Sequence, residues 1–296
     1  MSAPSDAPDP LESPSELESS SELADSSAES TGPPTGPLAT SESPESSDSG
    51  DDPRLRDEFV RTVPAPDRSE TGRVTLVGVV HDHPASAYRA RAVVRERDPD
   101  VVALEAPPVA VPLYRTYADS DARPSFGGEM SAAAQAARES DAEVVGIDGP
   151  TTAFFARLAR NCWRERASPG TLRRVASGVA SVSRHAVVCR LAAAVADRTG
   201  LRVEVDDPVI HDCERTDSPA EQARDEREQA RRSRSLLRAF DPPEPVALRE
   251  RTREECMADA LADLRTRGET VAVVGLDHLD AVADRLDSSR SVAASR

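Results

Sequence analysis

Four short runs of β-branched and aliphatic residues constrain this chain most: VTLVGVV at 74–80, VVAL at 101–104, VVGI at 144–147 and VAVVGL at 271–276. Their hydrophobicity is continuous rather than alternating, which marks strands buried on both faces, as in a parallel sheet. A fifth run, LRVEV at 201–205, alternates and reads as an edge or half-exposed strand. Helical periodicity lies between the runs, at 85–97, at 129–139 behind Gly127 and Gly128, at 248–267 with Met257, Leu261 and Leu264 on one face, and at 278–286. Strand–helix alternation predicts an α/β domain over residues 66–296, with a mostly parallel or mixed central sheet under helical cover. The stretch at about 151–245 is mostly helical in pattern and predicts a helical insertion.

Ahead of this domain the texture differs. Residues 1–53 hold thirteen acids and no basic residue, so they carry most of the formal net charge of −16. A segment of Ser, Pro, Asp and Glu has too little to bury to offset its ordering entropy. A disordered acidic tail and linker are expected over residues 1–65, with 54–70 as the linker. All 37 basic residues are arginine. With the Asp, Ala and Val enrichment, this resembles the composition of halophilic proteins. The four cysteines, Cys162, Cys189, Cys213 and Cys256, form no CxxC pair, so neither a disulfide framework nor a zinc ribbon is indicated. No leader is visible, and the most apolar stretch, 176–196, is interrupted by Arg184, His185 and Arg190. A cytoplasmic protein without a transmembrane segment is expected.

Each buried run ends on ionisable side chains. The first reaches His81-Asp82-His83, the second Glu105, the third Asp148 and the last Asp277-His278. Open α/β sheets bind ligands outside the carboxyl edge of the strands, so these groups converge there if the strands are neighbours. Imidazole and carboxylate together suit first-row divalent metals. A GxSxG elbow, a P-loop and an HExxH motif are all absent, which leaves serine-hydrolase and NTPase readings without anchors.

The ordered motifs resemble the TraB family, which includes the PrgY, GumN and Tiki proteins. The likeness rests on Gly78-Val79-Val80-His81, on VVALEAP with Glu105, and on GGEMSAAAQAA with Glu129. It extends to VVGIDGP with Asp148, TREECMADAL with Arg253, Glu254 and Met257, and a second GxxH at Gly275-Leu276-Asp277-His278. The match covers about 74–150 and 250–286. It implies a metal-dependent hydrolase acting on peptides. His81, His278 and Glu105 would hold a divalent Mn, Zn, Fe or Co ion, and Glu105, Glu129 and Arg253 would be catalytic. Two arginines common in the family, after the first glutamate and after the third strand, are missing here, where Ala106-Pro107-Pro108 and Gly149-Pro150 follow instead. That loss motivates the alternative of a non-catalytic module that sequesters a peptide or small ligand.

Residues 151–196 hold eight arginines and one acid, Glu165. This basic island invites contact with anionic lipid or with the acidic tail of the same chain. Nucleic acid is not expected, because no nucleic-acid-binding motif is present. His185 lies in an apolar helical pattern and is expected to pack there. His211-Asp212-Cys213 is a weak metal-like triplet.

Overall fold

The computed structural model describes residues 52–66, 71–119, 124, 126–201, 204–205, 209–239 and 242–294. Of the expected tail and linker over residues 1–65, residues 1–51 lie outside them, as does the tail's expected contact with the arginine-rich helices.

The first continuous run forms β2 (Val74–Val79), the second β3 (Val101–Leu104), the third β4 (Glu143–Gly146) and the last β5 (Thr270–Gly275). A strand that the linker reading does not anticipate, β1 (Val60–Val63), precedes them. It follows a single 3-10 turn, Asp57–Phe59, and pairs antiparallel with β2. Its VRTV alternation is too short to stand out from a linker, and its pairing partner is what makes it a strand. The sheet order is β1-β2-β5-β3-β4, with β2, β5, β3 and β4 mutually parallel. The mixed sheet of the α/β expectation is thereby met. Of the fifth expected strand, residues 202–203 lie outside the described set, and Leu201, Glu204 and Val205 are not in a strand.

Alternate residues of each strand feed two cores. Val74, Leu76, Val101, Ala103, Ala272 and Val274 face α7 (Glu244–Leu264) and α8 (Leu276–Ala294), where Met257, Leu261, Leu279 and Leu286 are fully buried. Val77, Val79, Val102, Leu104, Val271 and Val273 face α1 (Pro84–Arg97) and α3 (Gly128–Glu139). This two-sided burial explains the unbroken hydrophobicity of the runs. Each fully buried Val or Leu contributes about 1.5–3 kcal/mol of transfer free energy.

The chain runs from β2 through α1 to β3, adds β4 outside β3, and returns only at β5 to fill the place between β2 and β3. Strand order therefore reverses beside β5, and the carboxyl ends of β2, β5 and β3 open onto one crevice. A short helix, α2 (Val111–Ala118), follows β3. The insertion is helical as expected: α4 (Thr152–Arg164), α5 (Pro169–Thr199) and α6 (Pro219–Ala239). Thr151 and Ser168 cap α4 and α5 with their hydroxyls, and Gly200 ends α5 in the left-handed conformation. His185 is half-buried, its Nε2 3.3 Å from Cys189 Sγ. Among the described residues, α5 is the one helix long and apolar enough to cross a membrane. A criterion of uninterrupted apolar runs passes over it because of its arginines.

Candidate functional site

His81, Glu105, Glu129, Arg253 and His278 meet at the carboxyl edge. His81 stands two residues past β2, Glu105 directly after β3, and His278 in the first turn of α8. Glu129 is in the first turn of α3, delivered by Gly127 and Gly128, both at positive φ (74° and 48°). At its positive φ a side chain on Gly128 would be strained, and its β-carbon would push the Asp82 carboxylate, 2.7 Å away, aside. Arg253 projects from α7 between Glu250 and Glu254.

The Nδ1 of His81 lies 2.8 Å from Glu129 Oε1, while Asp82 N donates to the other oxygen at 2.9 Å. Glu129 is buried and His81 is 53 % exposed, so a fixed carboxylate holds a ring that opens to the crevice. The Glu129 hydrogen bond pushes His81 up to about 9, against burial and with help from the charges of Glu129 and Glu105. Its Nε2 faces the site centre. A β-carbon on Gly275 would sit 3.3 Å from both His81 Nε2 and Glu105 Oε2, space that glycine leaves open.

On the other side Arg253 is a clamp. It donates to Glu105 at 2.7 Å, to Asp148 at 2.8 and 3.1 Å, and to Glu250 at 2.6 Å. Its Nη1 lies 3.3 Å from His278 Nε2, and His278 Nδ1 lies 3.3 Å from Glu254. Burial acts against the charge on His278, but the Glu254 hydrogen bond and the Glu105 charge raise its pKa. With every donor group of Arg253 engaged, its geometry is that of a positioning residue for Glu105 rather than a free oxyanion donor. Asp148, which ends the third apolar run, is its main partner.

Donor spacing bears on the expected metal set. Ligand–metal bonds of about 2.0–2.2 Å put the ligand atoms of one shell within roughly 4.5 Å of each other. His278 Nε2 and Glu105 Oε1 are 3.7 Å apart, yet the Arg253 guanidinium bonds to both. His81 does not join them within the spacing of a single shell. In this arrangement His81, His278 and Glu105 do not fit a metal centre, because Arg253 supplies the positive charge that the carboxylates require.

Among the described residues, the group whose donor atoms all lie within 4.8 Å, and which could hold a metal ion, is His83, Cys213 and Asp225. His83 is fully buried, with Nε2 3.1 Å from Asp225 and 3.4 Å from Cys213 Sγ. Burial pushes His83 down to about 4 and Cys213 up to about 12, so ring and thiol are both neutral near pH 7. His83 also caps α1, its Nδ1 accepting from Ala85 N at 3.1 Å. The neutral ring therefore carries its proton on Nε2, aimed at Asp225, and an ion would have to displace it. Sequence reasoning set His83 among the edge groups and missed Asp225, its partner 142 positions away. The His81-x-His83 spacing and the His211-Asp212-Cys213 triplet were the available signals. His211 ties this cluster to the edge, with Nδ1 2.9 Å from Gln229 and Nε2 2.9 Å from the His81 carbonyl oxygen.

Two cavities border His81. One of about 320 Å³ is walled by Leu113, Tyr114, Tyr117 and Met130 and reaches Glu105 and Glu129. The other, about 230 Å³, touches Val80, Ala230, Gly275 and His278.

No family model matches this sequence, and no curated protein matches it. Among solved structures, a mutant erythromycin esterase in its open conformation is similar over 70 % of this chain, at 14 % identity and a TM-score of 0.29. The match spans 66 % of that protein's chain, just under two thirds of its length.

Proposed function

We propose that this chain is a hydrolase of TraB type that acts on peptide-like substrates, with the His81–Glu129 pair as its acid–base group. The observation that carries this reading is a histidine anchored through Nδ1 by a buried carboxylate, its Nε2 turned into a crevice at the strand-order switch. Such a pair orients the ring to accept a proton from water and return it to a leaving group. Glu105, held by Arg253 and by the Gly275 amide, lines the same centre and places negative charge opposite the ring. The two cavities flanking His81 suit a chain-like substrate with a group on either side of the bond cleaved. The Tyr114–Tyr117 cavity would take an aliphatic or aromatic side chain. None of these steps uses a metal. An ion of the zinc or manganese class belongs, in this reading, at His83, Cys213 and Asp225, where it would tie α6 to the loop carrying His81.

The test is turnover of a fluorogenic peptide and ester library by the full chain and by His81→Asn. The expected outcome is a loss of about 100-fold or more, the lower range for removing a general acid–base group. Only the unprotonated ring is a base, so the parent's rate should climb with pH until about 9. Metal content decides the cofactor: stoichiometric metal lost in His278→Ala but kept in Cys213→Ser would overturn the metal-free step. The sequestering alternative draws on the closed hydrogen bonding of Arg253 and Glu129. It requires ligand binding that survives His81→Asn with no turnover in the parent.

A further inference from the structure

The insertion carries a surface that the hydrolase reading does not use. Of the eight arginines between 151 and 196, Arg157 pairs with Asp259 on α7, and the single acid, Glu165, pairs with Arg251. The other seven arginines are exposed and make no ion pair among the described residues. Apolar side chains stand between them in the open: Trp163 is 80 % exposed and Leu191 61 %. Phe155, Trp163 and Leu172 wall an open groove of about 1140 Å³ between α4 and α5, with Arg164 and Arg166 along it. Further along α5, Val188, Leu191 and Val195 follow at i, i+3 and i+7 and form an outward stripe, while Cys189 and Ala193 face α2. Only 28 % of the most apolar eighteen-residue stretch of α5 is buried.

The partner must therefore be apolar and anionic at once. A second copy of this face would set seven unpaired arginines against seven. The acidic segment 1–53 has the charge but contains no aromatic residue and few aliphatic ones. A bilayer of anionic phospholipid offers phosphates at the depth where arginine stems can lie along acyl chains, and hydrocarbon beneath. The overall charge of −16 does not oppose this. Thirteen acids lie within the first 53 residues, and repulsion beyond about 8 Å is screened at physiological ionic strength. We propose that the α4–α5 face docks the protein on anionic phospholipid membranes, with headgroup phosphates on the arginines and with Trp163 and the α5 stripe entering the interface.

Trp163 is the only tryptophan, so it reports directly. The full chain is mixed with phosphatidylglycerol or phosphatidylcholine vesicles, and emission and co-sedimentation are followed. The expected result is a blue shift and partition with phosphatidylglycerol, with quenching by brominated acyl chains. Partition should fall at least about tenfold on phosphatidylcholine, and likewise in the Arg164→Glu/Arg166→Glu/Arg173→Glu variant. These positions are exposed, and unchanged far-UV circular dichroism confirms that the variant is folded. Equal partition onto both vesicles, partition unaffected by the charge reversals, or no shift with either vesicle overturns the proposal. So does self-association abolished by Leu191→Glu in a chain that ignores vesicles.

Discussion

His81 and His83 are two residues apart and live in opposite environments. His81 is half-exposed, charged against Glu129, and open to two cavities. His83 is fully buried and neutral, enclosed by Asp225, Cys213 and the start of α1. Beneath His83 polar side chains continue inward: Ser86, Arg89 and Glu226 are all fully buried and bonded to one another. The edge network spends its polar groups on an open face, whereas the inner one closes on itself and fastens α6 to α1. Polar residue types alone do not mark a reactive site; what does is a polar group left facing space.

The largest effect should come from the closed network. Arg89 is held by Glu226 at 2.8 Å and by the Arg54 carbonyl at 3.1 Å, and its guanidinium stacks on Phe59 at 4.3 Å. Glu226→Ala leaves that cation buried without its counter-charge, a loss of about 3–5 kcal/mol by urea unfolding. The edge should respond the other way. His81→Asn removes turnover and costs less stability than Glu226→Ala, because the lost ring is half-exposed and Glu129 keeps its bond from Asp82 N. If His81→Asn unfolded the protein, or Glu226→Ala abolished turnover at unchanged stability, the division between an open and a closed network would collapse.

The legible part of this architecture lies where physics repeats along the chain. Strands β2 to β5 were visible because two-sided burial leaves an unbroken apolar signature, and His81, Glu105 and His278 because each follows a strand, whereas Glu129 opens a helix and was marked only by its GGE motif. Strand β1 was not, since four residues with VRTV alternation acquire meaning only beside β2. Arg253 stood out in its motif, but its role as the clamp on Glu105 and Asp148 depends on α7 crossing the sheet edge. The pairing of His83 with Asp225, like that of Arg89 with Glu226, rests on where α6 packs, and no local pattern encodes that.

A smaller effect tests the edge electrostatics directly. Glu129 is the main cause of the raised His81 pKa. NMR titration should find the His81 midpoint near 9 in the parent and near the ordinary value of about 6.5 in Glu129→Gln. The sign follows from linkage: with the folded pKa above the unfolded one, the stabilisation is present below about 6.5 and fades as pH rises towards 9. An unchanged midpoint in Glu129→Gln would assign the shift to Glu105 and Asp82 instead.

The smallest effect uses a second arginine on the same helix. Arg95 and Glu139 join α1 to α3 with two hydrogen bonds, 2.6 and 2.8 Å, much as Arg89 and Glu226 join α1 to α6. The hydrogen bond raises Arg95 and lowers Glu139, yet their side chains are 48 % and 39 % exposed. Water and salt screen such a pair, and each partner stays hydrated when the other is removed. Arg95→Ala should therefore cost no more than about 1 kcal/mol, and less in high salt. Comparing it with Glu226→Ala sets an exposed pair on α1 against an enclosed one on the same helix. A loss at Arg95 as large as that at Glu226 would mean that the α1–α3 contact, and not the enclosed α1–α6 network, carries the rigidity behind His81.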